Sequence, residues 1–280
     1  MDHFELTRDY LIDVFEDTCE KIKQSELLSA AVKASCAIQQ FIPEDQTIEL
    51  PIPRFDQPAK VHITRNRSFE AAIEYARGTD KVGVLNFASA TTPGGGVESG
   101  SRAQEESLCR VSTLFQCLST DEMEAKFYTP HINAHNSLHN DDIIYTPDVV
   151  VLKDDNYQML EQPYKLDIIT CAAPNLREHP SNRYNFGEGK RQIVSPEELQ
   201  AIHEKRGRKI ISVAAQHGVD VLILGAFGCG AFRNDPAVVA KAYKNILPEF
   251  LHYFKEIEFA VYCGPTGPDR NYFEFDKRLG

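Results

Sequence analysis

The segment Thr91-Thr92-Pro93-Gly94-Gly95-Gly96, followed after seven residues by Gln104-Glu105-Glu106, constrains the fold of this chain more than any other stretch. Before it lies Val82-Gly83-Val84-Leu85-Asn86-Phe87-Ala88, an apolar run with the continuity of a buried strand. After it, Leu108, Val111, Leu114, Phe115 and Leu118 recur at helical spacing. A strand is therefore expected to turn through glycines into a helix with two carboxylates in its first turn. The same grammar returns at Leu224-Gly225-Ala226-Phe227-Gly228-Cys229-Gly230-Ala231-Phe232, again after an apolar run, Val221-Leu222-Ile223-Leu224. Consecutive glycines turn tightly and leave peptide N–H groups open, and such amides cradle a diphosphate without a lysine. Two loops of this kind predict one extended, phosphorylated ligand held at both ends.

Other motifs narrow the chemistry. No Gly-Lys-Ser/Thr follows the second loop, and the spacing from Gly225 is not GxGxxG, so ATP hydrolysis and hydride transfer both lose support. Acids at a helix N-terminus favour the dipole by roughly 0.3–1 kcal/mol each, which alone accounts for many such pairs. Adjacent helical residues point about 100° apart, however, so one of Glu105 and Glu106 can face a cleft while its neighbour orients it. Phe227 and Phe232 flank Gly228-Cys229-Gly230 and are candidates to stack on a base or press on a ribose, with core packing as the alternative. His131, His135 and His139 repeat every four residues beside Asp141 and Asp142, but Pro130, the intervening asparagines and Ser137 argue against one unbroken ligand-bearing helix. No metal and no cofactor are expected. His203 and His217 lack a nucleophile signature.

At 280 residues the chain is long enough for a full core, and one α/β domain with an N-terminal extension is the favoured organisation. The net charge of -11 repels a polyanion at long range, and the most basic patch, Lys205-Arg206-Gly207-Arg208-Lys209, reads as a solvated helix face and not a basic stripe, which argues against general nucleic-acid binding. No run approaches the roughly 18 apolar residues of a membrane span, and Met1-Asp2-His3-Phe4-Glu5 lacks the basic and apolar parts of a signal peptide. Seven cysteines without a CxxC pair fit free thiols in a reducing compartment, so a soluble, cytoplasmic protein is expected.

Along the chain, residues 8–40 read as helical with Ser25 as an interruption, and polar, proline-rich sequence makes a boundary near residue 59. Residues 60–64 read as a short strand, and Ser68 as the cap of a helix over 69–77. Residues 149–152 and 166–172 read as strands, and 176–194 as a flap or surface loop. Ser195-Pro196-Glu197-Glu198 opens a helix to about His217. Residues 236–254 have helical period, and 258–262 form a last central strand ending at Cys263-Gly264-Pro265. Strands separated by helices predict a mixed or mainly parallel sheet covered on both faces.

Gly94-Gly95-Gly96, seven residues, then Gln104-Glu105-Glu106 resembles the signature of poly(ADP-ribose) glycohydrolases, and residues 225–232 resemble the diphosphate loop of the macrodomain. Val84-Leu85-Asn86-Phe87-Ala88-Ser89, Tyr145-Thr146-Pro147-Asp148-Val149 and Pro174-Asn175 support the likeness, which is to the bacterial-type branch and extends over about residues 60–265. The resemblance implies a three-layer α/β/α macrodomain-like mixed sheet at 60–280, with a helical N-terminal extension at 1–59 packed on it. It implies hydrolysis of ribose–ribose O-glycosidic bonds in poly(ADP-ribose), with ADP-ribosylated proteins as targets and ADP-ribose as product. By position, it makes Glu106 the catalytic acid and Glu105 a ribose contact. It also places Gly94, Gly95, Gly96 and Gln104 in the catalytic loop region, and Gly225, Phe227, Gly228, Cys229, Gly230 and Ala231 in the diphosphate loop. Phe232 resembles the aromatic that sets the distal ribose. Ser89 stands where many macrodomains have an asparagine. A noncatalytic ADP-ribose reader and a mono(ADP-ribosyl) hydrolase are the alternatives.

Overall fold

The computed structural model describes residues 7–183, 185–264 and 269–280. Among these, seven strands form one sheet: β1 (Gln40–Ile42), β2 (Lys60–Thr64), β3 (Val82–Phe87), β4 (Ile143–Lys153), β5 (Met159–Cys171), β6 (Val221–Leu224) and β7 (Glu256–Ala260). Their order is β1-β4-β5-β3-β6-β7-β2. The run from β5 to β2 is parallel, while β4 is antiparallel to both β5 and β1. The helices are α1 (Arg8–Gln24), α2 (Glu26–Ile38), α3 (Ser68–Ala76), α4 (Gln104–Val111), α5 (Leu114–Leu118), α6 (Asp121–Met123), α7 (Thr129–Ala134), α8 (Pro196–Gln216), α9 (Pro236–Ile246) and α10 (Arg270–Leu279).

Strand alternation creates two cores. Val84, Ile168, Val221 and Ile223 pack with Phe15, Phe69, Leu108 and Leu114 on one face. Leu85, Ile169, Leu222 and Leu224 pack with Ile210, Val239, Tyr243 and Phe275 on the other. The architecture is thus the expected three-layer α/β/α arrangement around a mixed sheet. No helix of the described residues is long and apolar enough to cross a membrane.

Ser25 separates α1 from α2, its hydroxyl accepting from the Leu28 N–H at 3.3 Å. Ser195 caps α8, and Glu198 reaches back to the Ser195 N–H at 2.7 Å, so this helix starts where its sequence indicates. Ser68, by contrast, is the first residue of α3 rather than its cap: Glu70 bonds the Arg67 N–H at 3.1 Å, and the Ser68 hydroxyl is spent on Gln104. The helix expected through Leu118 breaks at Ser112, whose extended backbone bridges to Val151. β4 and β5 run longer than 149–152 and 166–172. A register shift between Thr146 and Val149 absorbs Pro147, with Asp148 at φ 56°. α9 stops at Ile246 and a short 3-10 turn, Leu247–Glu249, follows it, since Pro248 cannot continue the hydrogen-bond ladder. β7 is interior, flanked by β6 and β2. Helix α10 was not anticipated. The expectations for Met1–Glu5 and for Pro265 lie outside the described residues.

Within residues 1–59, α1 braces the helix that carries the acids. The fully buried Arg110 donates from Nε to Leu11 O at 3.2 Å and from its guanidinium to Ser101 O, while Thr18 Oγ1 donates to Arg110 O at 2.7 Å. Lys153, also buried, donates to Val14 O at 3.0 Å and pairs with Asp17 at 2.7 Å. β1 adds an edge strand to β4. The loops after β3, β5, β6 and β7 leave the same edge of the sheet, the edge at which α/β sheets gather ligands.

Candidate active site

A cleft of about 520 Å³ opens at that edge. Its floor is the start of α4 and the glycine turn before it. Glu106 Oε1 accepts the Gly96 N–H at 2.9 Å, and its Oε2 is buried without a protein partner. Glu105 accepts the Ser89 N–H at 2.7 Å on Oε2 and the Asn86 amide at 3.1 Å on Oε1. Both acids are nearly inaccessible, at 3% for Glu105 and 8% for Glu106. The turn must come this close. Gly95 sits at φ 57°, and a Cβ there would lie 2.7 Å from Glu106 Oε1.

Burial disfavours the charged form of both carboxyls. Glu105 is pushed up to about 8 by burial and by repulsion from Glu106, against the opposing pull of the Ser89 N–H and the Asn86 amide. Glu106 is raised by burial, with the Gly96 N–H and the nearby Arg110 pulling the other way. The helix end therefore does not win over burial at Glu106, and its acid form is favoured relative to an exposed glutamate.

Gln104 lines the cleft, but its amide is used by the protein. Oε1 accepts the Phe87 N–H at 2.8 Å, and Nε2 donates to Leu85 O at 2.8 Å and Ser68 Oγ at 3.1 Å. It extends the hydrogen bonding of β3 and fixes α4 against it, rather than offering its amide to a ligand. Gly94 is packed under the turn: at φ 66°, its Cβ position lies 2.8 Å from the Phe115 ring.

The second glycine loop forms the adjoining wall through Gly228, Gly230, Ala231 and Phe232. Asn234 shapes it from behind. Its amide donates to Pro174 O at 2.6 Å and Gly228 O at 3.1 Å, and its Oδ1 faces His203 Nε2 at 2.8 Å. Among the described residues, the N–H groups of Gly228, Gly230, Ala231 and Phe232 find no protein acceptor. Unspent backbone donors in a glycine loop are the kind of group that can cradle an anion. Phe227 does not join them. It is 1% exposed, packed against Phe87 and His203 in the core, so its ring is unavailable to a base or ribose. Cys229 turns its thiol back to Phe227 O, and Gly225 is wedged between Ala260 O and the Phe87 ring; neither Cys229 nor Gly225 lines the cleft.

Sequence reasoning missed several lining residues. Arg67 stacks over Tyr262 with its guanidinium 4.4 Å from the ring centroid, beside Asp155 at 3.9 Å. Arg177 lies 5.8 Å from the Phe232 ring, and Asn185 reaches Ser89 from the segment after β5. Arg67 and Tyr262 meet because β2 and β7 are neighbours, a pairing no local pattern announces. The three histidines do not meet as a set: the rings of His131 and His139 stand edge to face with centroids 6.0 Å apart, and His135 is bonded elsewhere. His131 bonds Phe127 O and Asn140, His135 bonds Gly187 O, and His139 bonds Ala173 O and Glu188. Among the described residues, no group of three or more His, Cys, Asp or Glu is placed to hold a metal ion.

Residues 12–154 match the family model described as the microbial-type PARG catalytic domain. No curated relative matches the chain in sequence. The fold superposes on poly(ADP-ribose) glycohydrolase from Thermomonospora curvata with a TM-score of 0.84 and 28% identity, covering 97% of this chain and 100% of that one. The same enzyme bound to the inhibitor ADP-HPD gives 0.80 and 27% over the same shares. The Deinococcus radiodurans enzyme in complex with ADP-ribose gives 0.75 and 32%, covering 89% of this chain and 96% of that one. With the glycine turn, the paired acids and the open amide loop brought to one cleft, the chain belongs to the microbial-type poly(ADP-ribose) glycohydrolase family.

Proposed function

We propose that this chain hydrolyses the ribose–ribose O-glycosidic bonds of poly(ADP-ribose) and releases ADP-ribose, with Glu106 as the acid. The single observation that carries the role of Glu106 is its Oε2, buried at the cleft floor and left unpartnered while Oε1 is fixed by Gly96. A noncatalytic reader needs the amide loop but has no use for such an oxygen. The protonated acid donates to the departing ribose oxygen as positive character builds at the anomeric carbon, and the resulting carboxylate takes a proton from the attacking water. The acid form is thereby restored. A diphosphate on the amides of Gly228, Gly230, Ala231 and Phe232 immobilises the sugar, and its negative charge stabilises the cationic transition state. Glu105 holds the Ser89 turn and lines the ribose side of the cleft.

ADP-ribosylated proteins are the targets in this reading, residues 1–59 are an extension packed on the catalytic domain, and the seven free thiols suit a reducing, cytoplasmic setting. Glu106→Gln is expected to lower polymer hydrolysis by about 10²–10⁴-fold while ADP-ribose binding, measured by calorimetry, persists. An unchanged rate rules out Glu106 as the acid.

A further inference from the structure

Resting on that reading, we propose that Asn185 is a substrate-positioning residue whose side-chain amide donates to an oxygen of the ADP-ribosyl unit beside Glu105. The hydroxyl of Ser89 fixes which way this amide faces. Ser89 Oγ accepts from the N–H groups of Thr91 at 3.3 Å and Thr92 at 3.2 Å, which occupies its lone pairs. Its proton must then go outward, to Asn185 Oδ1 at 2.8 Å. Asn185 lines the cleft, and no described residue accepts from its Nδ2. That N–H₂ therefore stands ready for a ligand oxygen, next to the turn whose backbone Glu105 holds at 2.7 Å. Ser89 carries a hydroxyl and no side-chain amide. A segment distant in sequence brings one to the same place.

The segment after Asn185 is tied to the core by specific contacts although residues 172–195 contain no helix or named strand among those described. Residues 187–190 are pinned to the end of α7. His135 donates to Gly187 O at 2.9 Å, Ser137 Oγ to Lys190 O at 3.3 Å, and Asn136 bridges to Lys190. Beneath them lies a sealed pair, His139 Nε2 and Glu188 Oε2 at 2.7 Å, with side chains 1% and 0% exposed. His139 Nδ1 donates to Ala173 O at 2.8 Å, which ties the pair to the end of β5. Gly187 and Gly189, at φ 79° and 76°, let the chain press this close to Ile132 and His135.

The test compares wild type, Asn185→Asp and Asn185→Ala by calorimetry with ADP-ribose, thermal unfolding, and kcat and KM on poly(ADP-ribose). Asn185→Asp keeps an oxygen for Ser89 and loses the donor; Asn185→Ala loses both without adding charge. Both are expected to weaken ADP-ribose binding about tenfold, with KM rising more than kcat falls and Asn185→Asp retaining the wild-type Tm. Wild-type affinity in Asn185→Ala overturns the proposal, because any loss in Asn185→Asp is then charge repulsion. Wild-type affinity in Asn185→Asp alone also overturns it, because Asn185 then merely props Ser89. Affinity for ADP-ribose tests Asn185, whereas hydrolysis of polymer by wild type separately tests the parent reading.

Discussion

The two glycine loops flank one cleft but are held in different ways. The first is tied down by ionisable groups: the N–H of Gly96 ends on Glu106 and that of Ser89 on Glu105. The second is tied down by a neutral amide, Asn234, which takes up carbonyls and leaves the loop N–H groups open. On the proposed function, the loop that holds phosphate is the one that keeps its donors free. A loop that must position an acid spends its donors on that acid, so its geometry and the protonation of the site are one property.

The sharpest way to break this contrast is Gly95→Ala. The added Cβ meets Glu106 Oε1 at 2.7 Å in a backbone region unfavourable to side chains. Polymer hydrolysis is expected to fall about 100-fold, because displacement of the proposed acid by an ångström costs that much, while ADP-ribose affinity changes far less. Equal losses in rate and affinity, measured by initial rates and calorimetry, break the division of labour.

A second test uses pH. The folded-state value of Glu105 stands at about 8, above its ordinary 4.5, so the folded protein holds that proton more tightly. Its contribution to stability is full below about 4.5 and is lost as pH rises through about 8. Chemical denaturation of wild type from pH 5 to 8 is expected to show a loss on the order of a few kcal/mol, and Glu105→Gln a shallower one. A slope unaltered by the substitution assigns the titration elsewhere.

The smallest effects sharpen the second loop. Gly228→Ala places a Cβ 2.6 Å from that of Ala173 at φ 76° and is expected to cost about 1–3 kcal/mol. Gly230 has open space around its Cβ position, and Gly230→Ala is expected to stay within about 0.5 kcal/mol. Thermal unfolding of the two variants side by side distinguishes a shaped loop from a merely glycine-rich one.

What was legible in the chain follows the range of the interactions. The Ser195–Glu198 box, the β3–glycine–α4 unit and the amide loop are local, and their residues declare them. The break at Ser112 answers to Val151 in β4, and the first half of β5 carries Glu161 and Lys165 on an exposed stretch, so neither has a local apolar signal. Phe227 and Phe232 look alike in sequence, yet packing on Phe87 and His203 removes the first ring from the cleft. Asn185 sits in a polar stretch with no periodicity, and its partner Ser89 is 96 residues away.

Arg110 and Lys153 are sealed beneath α1, and their charges are met there by Leu11 O, Val14 O and Asp17. Trimming the chain back to its sheet and cleft would take Leu11 O from the guanidinium, leaving it Ser101 O, and would strip the ammonium of Val14 O and Asp17. The first helix is thereby a solvent substitute for two cations as well as a brace, and the hydrolytic half of the molecule inherits a dependence on it that its own motifs nowhere declare.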